Sequence, residues 1–326
     1  MRAVVCREYG PPERLEVAER ESPAPGKGQV LVAVKAAGVN FPDTLVIQGK
    51  YQFQPPMPFT PGSDVAGVVR AVGEGVESVR VGDRVMGFTG TGGGGFAEEA
   101  ICDAHSVVPI PANVELVSAA AFGLTYSTSY YALKDRARLR AGETLLVLGA
   151  AGGVGLAAVE LGRVMGARVI AVASSDEKLA VCRRYGAEEV VNYASEGLRE
   201  RIKALTGSEG VDVVFDPVGG AYAEPALRGM GWEGRYLVIG FAAGEIPRIP
   251  LNLPLLKGCS VVGVFWGSFA AREAARNAEN LRTLVAWLAD GTIKPLVSAT
   301  YPLEEVAQAL NDILQRRVTG KVVLVM

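Results

Sequence analysis

The sequence predicts an α/β protein of two domains: a β-rich domain of short strands and a second domain built on a doubly wound parallel sheet. Three observations support this fold class. A glycine-rich segment at residues 144–155 joins an apolar run to an alanine-rich one. Apolar runs and helical patterns alternate after it, and short strands with glycine turns precede it. With 326 residues, the chain is long enough for two hydrophobic cores.

The glycine-rich segment, TLLVLGAAGGVG, has the form of a strand, a tight turn and a helix N-terminus. Glycines in such a turn let the backbone approach a pyrophosphate, and the N–H groups of the first helical turn point at the anion. Aligned to G-x-G-x-x-G, the window is 150–155, and Ala150 replaces the first glycine. The flanking strand and helix support the motif. We therefore predict dinucleotide contacts at Ala151, Gly152, Gly153 and Val154.

The second domain alternates strands with helices, as a parallel sheet requires. Strands are predicted at 145–148, 169–172, 189–191, 211–215, 235–239 and 260–264. Helices are predicted at 153–165, 177–184, 195–205 and 219–229, with a long helix at 270–290. In such sheets, ligands lie outside the carboxyl ends of the strands.

The first domain has many short apolar runs separated by glycine and proline. Strands are predicted at 3–5, 15–18, 30–37, 65–72, 83–86 and 96–101, with a very glycine-rich loop at 89–95. A helix at 118–133 should cross into the second domain, and a helix at 303–317 and a strand at 321–326 should return. We assign residues 1–123 and 295–326 to the first domain and 124–294 to the second.

Composition excludes several classes of partner. The net charge is −2 without a long run of either sign, which argues against nucleic acid or an anionic membrane as partner. No apolar stretch approaches the ~18 residues of a membrane span, and the first residues do not resemble a signal peptide. The four cysteines are far apart, which indicates free thiols in a reducing cytoplasm.

Five segments together resemble the medium-chain dehydrogenase/reductase superfamily, in its zinc-free quinone oxidoreductase (zeta-crystallin-like) branch. The segments are 36–43 (AAGVNFPD), 61–67 (PGSDVAG), 81–85 (VGDRV), 150–155 (AAGGVG) and 320–323 (GKVV). The resemblance implies a GroES-like catalytic domain, a Rossmann domain that binds NADP, and a cleft between the two.

The zinc ligands of this superfamily are missing from the matching positions. Zinc-dependent members use a cysteine, a His-Glu pair and a second thiol. Here Asn40 replaces that cysteine, and Ser63-Asp64 replaces the His-Glu pair. The structural zinc lobe would fall near 89–95, which has no cysteine, and His105 is the single histidine. Because a zinc site needs about four such ligands, we predict no metal.

The end of the second strand of the second domain favours NADPH over NADH. An acid there would receive ribose hydroxyls and repel a 2′-phosphate. Instead, Ser174 and Ser175 follow the strand, and Lys178 can reach the phosphate as a point charge. In similar quinone reductases, a tyrosine at the position of Tyr193 joins that lysine. Alternatively, Ser175 is only a helix N-cap, Lys178 a solvated lysine and Tyr193 a surface anchor.

The predicted cleft is lined by polar and aromatic candidates. Asn40 could hydrogen-bond a ribose or a substrate carbonyl, and Tyr51 or Tyr126 could donate a proton or orient the acceptor. For each tyrosine, packing in the core or cleft wall is the alternative, and Asp43 could simply anchor its turn. Further cofactor contacts are expected at Thr125, Val218, Gly240, Phe241, Phe265, Trp266 and Lys321.

A quinone fits such a site because its two-electron reduction gives a quinol whose oxygens take protons from water. A rival substrate is an α,β-unsaturated carbonyl or enoyl thioester, in which hydride adds at the β-carbon. A third alternative is an NADPH-binding protein with a structural or interaction role. The apolar strand at 260–265 should lie at a sheet edge and pair across a two-fold axis, which predicts a homodimer; a covered edge in a monomer is the alternative.

Overall fold

The computed structural model describes residues 1–90 and 93–326. Thr91 and Gly92, which belong to the predicted glycine-rich loop 89–95, lie outside the described residues. The chain divides into two compact units, residues 1–124 with 274–326 (unit 1) and residues 125–273 (unit 2). Within the described ranges, no helix is both long enough and apolar enough to cross a membrane.

Most of the strands are short, and the exceptions are three strands of nine to eleven residues in the middle of the sheets. They are β1 (Arg2–Val5), β2 (Glu16–Glu19), β3 (Gln29–Val39), β4 (Asp64–Val72), β5 (Arg84–Phe88), β6 (Glu99–Asp103), β7 (Val107–Pro109), β8 (Thr144–Val147), β9 (Arg168–Ala173), β10 (Glu189–Asn192), β11 (Val211–Asp216), β12 (Met230–Val238), β13 (Ser260–Gly263), β14 (Val297–Pro302) and β15 (Lys321–Val325).

The helices are α1 (Phe41–Val46), α2 (Leu116–Tyr130), α3 (Gly153–Val164), α4 (Asp176–Arg184), α5 (Leu198–Thr206), α6 (Ala223–Arg228), α7 (Asn252–Lys257), α8 (Trp266–Arg272), α9 (Ala274–Asp290) and α10 (Val306–Leu314). The prediction of a single long helix at 270–290 is wrong, because two helices occupy this segment. The segment is divided between α8 and α9, because Glu273 leaves helical geometry with φ −125° and ψ 51°.

Unit 2 is built on a six-stranded parallel sheet of order β10-β9-β8-β11-β12-β13. The chain moves outward from β8 in one direction, returns, and continues from β11 in the other. This is the doubly wound arrangement expected from the sequence, with the switch point between β8 and β11. Strands β8, β9 and β11 are almost wholly buried, which explains their continuous apolar runs.

Unit 1 contains a seven-stranded sheet whose main path is β14-β15-β3-β4-β5-β7, with β6 also paired to β3. Strand β15 lies inside this sheet, because it pairs parallel with β14 and antiparallel with β3. The predicted return of the chain at 321–326 is therefore observed. Strand β14 was not predicted. Its residues alternate between half-buried and exposed, so it lacks the strong apolar pattern of the inner strands.

The second division between the compact units lies at a different position from the predicted domain boundary. The assignment of residues 124–294 to the second domain stays a prediction, whereas residues 274–294 cluster with unit 1. One reason is that the amide of Asn113 donates to the carbonyl oxygen of Ala289, at 2.8 Å, within unit 1. The first boundary, after residue 124, lies one residue from the predicted position.

Candidate functional site

The glycine-rich turn of unit 2 brings the start of α3 against the end of β8. Gly149 has a φ of +56°, which side chains rarely adopt. A Cβ on Gly155 would lie 2.2 Å from the carbonyl oxygen of Gly149. Only glycine therefore permits this approach. The first N–H groups of α3 have no acceptor inside the helix, so an anion can accept from them.

The turn differs in one residue from the aligned motif. The alignment places Ala150 at the first motif glycine, but the left-handed residue is Gly149. Ala150 is fully buried, and its N–H donates to the carbonyl oxygen of Val172 at 3.0 Å. The alanine is thus compatible with the turn. Of the predicted cofactor contacts, Ala151 lies in the glycine-rich turn and Gly152 is the N-cap of α3. Gly153 and Val154 are the first two residues of the helix.

A polar group lies at the neighbouring carboxyl ends of β9 and β10. Ala173 pairs with Asn192 at these ends, and the N–H of Tyr193 donates to the carbonyl oxygen of Ala173 at 3.2 Å. The pairing brings together the two segments that carry Ser174, Ser175, Lys178 and Tyr193. The sequence analysis missed Tyr222, whose ring centroid lies 4.5 Å from that of Tyr193.

Ser175 also has the local role that was considered as an alternative. It is the N-cap of α4, and its hydroxyl accepts from the N–H of Lys178 at 3.4 Å. The same hydroxyl bonds the Glu177 carboxyl, which lowers the pKa of that group. Of the predicted phosphate ligands, Lys178 is the positively charged one, and the Ser175 hydroxyl takes part in hydrogen bonds within its own turn. That these residues bind a phosphate stays a prediction.

The remaining predicted contacts of unit 2 follow β11, β12 and β13, or lie on α2. Val218 follows β11 and lies against the glycine-rich turn, since a Cβ on Gly149 would be 2.8 Å from its methyl group. Gly240 and half-exposed Phe241 follow β12. After β13, Phe265 is 51% exposed, while Trp266 is buried. Thr125 is buried on α2.

Unit 1 contains a buried set of four charged or polar side chains, which we name the polar cluster: Asn40, Asp43, Asp64 and Lys321. The sheet brings them together. Gly38 pairs with Asp64 across β3 and β4, and Val39 pairs with Val322 across β3 and β15. Asp64 was not among the predicted site residues, although it lies in the segment 61–67 that carries the family resemblance, at the position of the His-Glu pair.

Asn40 is the N-cap of α1, and its backbone N–H, side-chain Nδ2 and side-chain Oδ1 all form hydrogen bonds. Its N–H donates to Oδ2 of Asp43 at 2.8 Å, as in a capping box. Its side-chain Nδ2 donates to the carbonyl oxygen of Gly38 at 3.2 Å and to Oδ2 of Asp64 at 2.9 Å. Its Oδ1 accepts from Nζ of Lys321. Both amide N–H groups are used, so the side chain can still accept a hydrogen bond from a hydroxyl but not donate one to a carbonyl.

Lys321 places a buried ammonium group beside Asn40, where the charges of the Asp64 and Asp43 carboxyl groups also act on it. Its Nζ also donates to the carbonyl oxygen of Val39 at 2.7 Å. Burial lowers the pKa of Lys321, and the charges of Asp64 and Asp43 oppose that shift. Burial raises the pKa of Asp64 to about 6 and that of Asp43 to about 7, although Lys321 and hydrogen bonds act in the opposite direction.

The two candidate tyrosines have different surroundings. The Tyr126 hydroxyl is buried and donates to Oε2 of Glu160 at 2.5 Å, and burial beside this carboxylate raises the Tyr126 pKa well above its usual value. Tyr51 is half-buried. Its pKa is raised mainly by burial and to a smaller extent by the charge of Asp43. Tyr51 therefore stays protonated at neutral pH. For Tyr126 to donate a proton to a substrate, its bond to Glu160 would have to break.

The cysteines and acids do not form a metal-ligand set in the part of the chain that the structure describes: no three or more His, Cys, Asp or Glu side chains are grouped to hold an ion. The cysteines are free and buried: Cys6, Cys102, Cys182 and Cys259. The absence of a metal from the protein stays a prediction.

Comparison with known proteins agrees with this architecture. Residues 26–112 match the alcohol dehydrogenase GroES-like domain, and residues 153–288 match the zinc-binding dehydrogenase family. The chain is 41% identical to quinone oxidoreductase-like protein 2 homolog of Nematostella vectensis, over 99% of this chain and 88% of that protein. It is 36% identical to human quinone oxidoreductase, over 100% and 98% of the two chains.

A solved structure has the same fold over its whole length. Escherichia coli quinone oxidoreductase, crystallised with NADPH, matches with a TM-score of 0.93 and 29% identity, over 100% of both chains. The fold, a GroES-like domain with a Rossmann domain, defines an oxidoreductase of the medium-chain dehydrogenase/reductase class. Within this class, the chain belongs to the quinone oxidoreductase family.

Proposed function

We propose that the chain is an NADPH-dependent oxidoreductase that reduces quinones without a metal ion. The observation that carries the proposal is at the carboxyl edge of the unit 2 sheet, where the glycine turn after β8 lies beside the segments after β9 and β10 that carry Lys178 and Tyr193. Relatives named quinone oxidoreductase, one of them crystallised with NADPH, support the cofactor and the substrate class.

Different residues of the chain would bind different parts of the cofactor. The N-terminus of α3 would hold the pyrophosphate, since Gly155 lets the helix start pack against the end of β8 and the first N–H groups of the helix have no acceptor inside it. Lys178, with Ser174 and Tyr193, would hold the 2′-phosphate as a charge-assisted contact. The segment after β9 begins with Ser174 rather than an acid, so a phosphate is not repelled at that position.

A bound NADPH would supply the hydride, and the residues of unit 1 would orient the acceptor. The protonated Tyr51 hydroxyl can donate a hydrogen bond to an acceptor oxygen. The remaining lone pair of Asn40 Oδ1 can accept from a ribose or substrate hydroxyl. A quinone needs no further acid, because water can protonate the quinol oxygens. This matches a site in which Asn40 has no free donor.

The function is tested by NADPH oxidation with a panel of acceptors in the presence of a chelator. The panel contains a small and a large quinone, an enal, an enoyl thioester, and a primary alcohol run in reverse with NADP. Quinone turnover that is insensitive to chelator supports the proposal. Preference for the enal or thioester moves the function to double-bond reduction. Tight NADPH binding without turnover favours a structural role.

We also propose that the protein is a homodimer in the cytoplasm. Strand β13 is at the end of the unit 2 sheet, and Val261 on it is 47% exposed. Leu255 and Leu256, just before this strand, are 79% and 70% exposed. Pairing of β13 with its copy would cover the edge and these side chains. The four free, buried cysteines fit a reducing compartment.

A further inference from the structure

Asp216, the last residue of β11, is buried and fully engaged in hydrogen bonds. Its side chain is 3% exposed. Its Oδ1 accepts from the N–H groups of Val218, at 2.7 Å, and Gly219, at 2.8 Å. Its Oδ2 accepts from the hydroxyl of Tyr236. One carboxylate therefore fixes the first residues that follow the strand.

The sheet itself supplies the tyrosine. Tyr236 on β12 pairs with Val214, two residues before Asp216, so the two side chains lie on the same face of the sheet. The Tyr236 ring is 1% exposed and packs in the core of unit 2. A hydroxyl buried so deeply needs an acceptor, and the Asp216 carboxylate provides it.

The segment that Asp216 fixes is a turn that requires glycine. Gly219 and Gly220 are consecutive left-handed residues, with φ values of +65° and +56°. A Cβ on Gly219 would lie 2.9 Å from Cδ1 of Phe241. The turn after β11 is thus in close contact with the loop after β12, in which the sequence analysis predicts cofactor contacts.

Backbone hydrogen bonds join these two segments, residues 217–220 and 240–245, which we name the paired loops. Ala242 N–H donates to the carbonyl oxygen of Pro217 at 3.0 Å, and Ala243 N–H donates to that of Val218 at 2.9 Å. Gly220 N–H donates to the carbonyl oxygen of Glu245 at 3.1 Å. A displacement at Asp216 would therefore move both loops together.

The paired loops also contact the glycine-rich turn before α3, through the methyl group of Val218 beside Gly149. In a doubly wound sheet, the first three strands bind the adenosine half of a dinucleotide and the next three bind the nicotinamide half. The paired loops follow β11 and β12, so they belong to the second half. Lys178 and Tyr193 belong to the first.

We propose that Asp216 and Tyr236 are positioning residues that hold the paired loops in the conformation that binds the nicotinamide half of NADPH. The inference rests on the proposed function. Neither side chain need touch the cofactor. The carboxylate sets the backbone of Val218 and Gly219, the tyrosine sets the carboxylate, and the loop-to-loop hydrogen bonds extend the arrangement to Phe241.

The test compares two ligands that share the adenosine half. Dissociation constants for NADPH and for 2′,5′-ADP are measured by fluorescence titration and calorimetry. Asp216→Ala removes the acceptor of two backbone N–H groups and of one hydroxyl. NADPH binding should weaken about tenfold or more, while 2′,5′-ADP binding should change less than about twofold. Asp216→Asn retains an oxygen for the two N–H groups and should restore most of the NADPH affinity.

The matched control is Tyr301→Phe, which breaks a tyrosine–aspartate hydrogen bond of 2.6 Å to Asp312 in unit 1 and should change neither constant. If Asp216→Ala weakens both ligands equally, or neither, the inference is wrong. If Asp216→Ala does not fold, Tyr236→Phe is measured instead, because it keeps the buried ring and removes only the hydroxyl. Weaker binding of NADPH alone supports the inference. Wild-type affinity for both ligands overturns it. A wild-type protein that binds neither ligand contradicts the proposed function instead.

Discussion

The ammonium group of Lys321 is hydrogen-bonded to the amide oxygen of Asn40, although 281 positions separate the two residues in the sequence. By resemblance, Asn40 occupies the position of a zinc-binding cysteine, and Asp64 the position of the glutamate in the His-Glu pair. In this chain, Asp64 accepts from the Asn40 amide. The Asn40 side chain therefore joins the two positions, since it is hydrogen-bonded to Asp64 through Nδ2 and to the Lys321 cation through Oδ1.

The first prediction concerns the free energy of unfolding. Lys321→Met leaves two buried carboxyl groups without their cation, so stability in denaturant should fall by about 3–5 kcal/mol. Adding Asp64→Asn to this variant should recover part of the loss, because the two groups interact. Arg317→Met, which breaks an exposed pair with Asp312, should cost little. Equal losses for Lys321→Met and Arg317→Met would contradict the role of the polar cluster.

The second prediction concerns pH. The pKa of Asp43 is raised to about 7, so between its unfolded value and pH 7 the folded protein binds a proton that the unfolded chain has lost. Stability should therefore fall as pH rises through this window, by about 1.4 kcal/mol per unit. The raised pKa of Asp64, about 6, acts in the same direction, whereas the lowered pKa of Lys321 acts oppositely at alkaline pH.

Thermal unfolding of Asp43→Asn tests this pH dependence. The asparagine keeps an oxygen for the Asn40 N–H but cannot ionise, so the fall in Tm between pH 5.5 and pH 7 should become smaller. Asp103→Asn removes an exposed carboxyl group and serves as control, with an unchanged pH profile expected. If Asp43→Asn follows the same profile as wild type, Asp43 is ionised throughout the range.

The third prediction concerns cofactor preference. Lys178→Ala removes the proposed cation beside the 2′-phosphate, so the KM for NADPH should rise about tenfold. The KM for NADH, which lacks this phosphate, should stay nearly unchanged. Steady-state kinetics with both cofactors measures the ratio, and Lys203→Ala, an exposed lysine of α5, is the control. An equal effect of Lys178→Ala on both cofactors would count against the assignment.

The fourth prediction concerns assembly. Val261→Lys places a charge on the exposed edge strand β13, which should convert the proposed dimer to a monomer in light scattering at micromolar concentration. Val81→Lys, at a 61% exposed valine of unit 1, should leave the mass unchanged. A monomeric wild-type protein would show that the edge strand has no partner copy.

The fold of unit 2 was predictable because each strand contains a short apolar run and helical patterns alternate with these runs. The six strands lie within a few residues of their predicted positions, and their order follows from the βα alternation. Local sequence patterns do not indicate which distant segments an element packs against or pairs with. The clustering of residues 274–294 with unit 1 was therefore not foreseen, and β14, with its weak alternation, was missed.

The candidate site was predictable only where a motif is local. The turn before α3 and the segment after β9 lie in short motifs, and both were located correctly in the fold. The polar cluster depends instead on antiparallel pairings that bring β4 and β15 to β3. No single-sequence pattern encodes those pairings. The engagement of Tyr126 with Glu160 escaped prediction for the same reason, since the two residues lie on different helices.

The inner position of β15 has a consequence for how the protein is made. Asp43 and Asp64 leave the ribosome long before Lys321, and the whole of unit 2 is synthesised between them. At ~5–20 residues per second, the delay is on the order of tens of seconds. During this time, unit 2 can fold, but β3 lacks its neighbour β15 and the two carboxyl groups lack their counter-ion. The nascent chain therefore exposes an unpaired strand edge that the finished protein conceals.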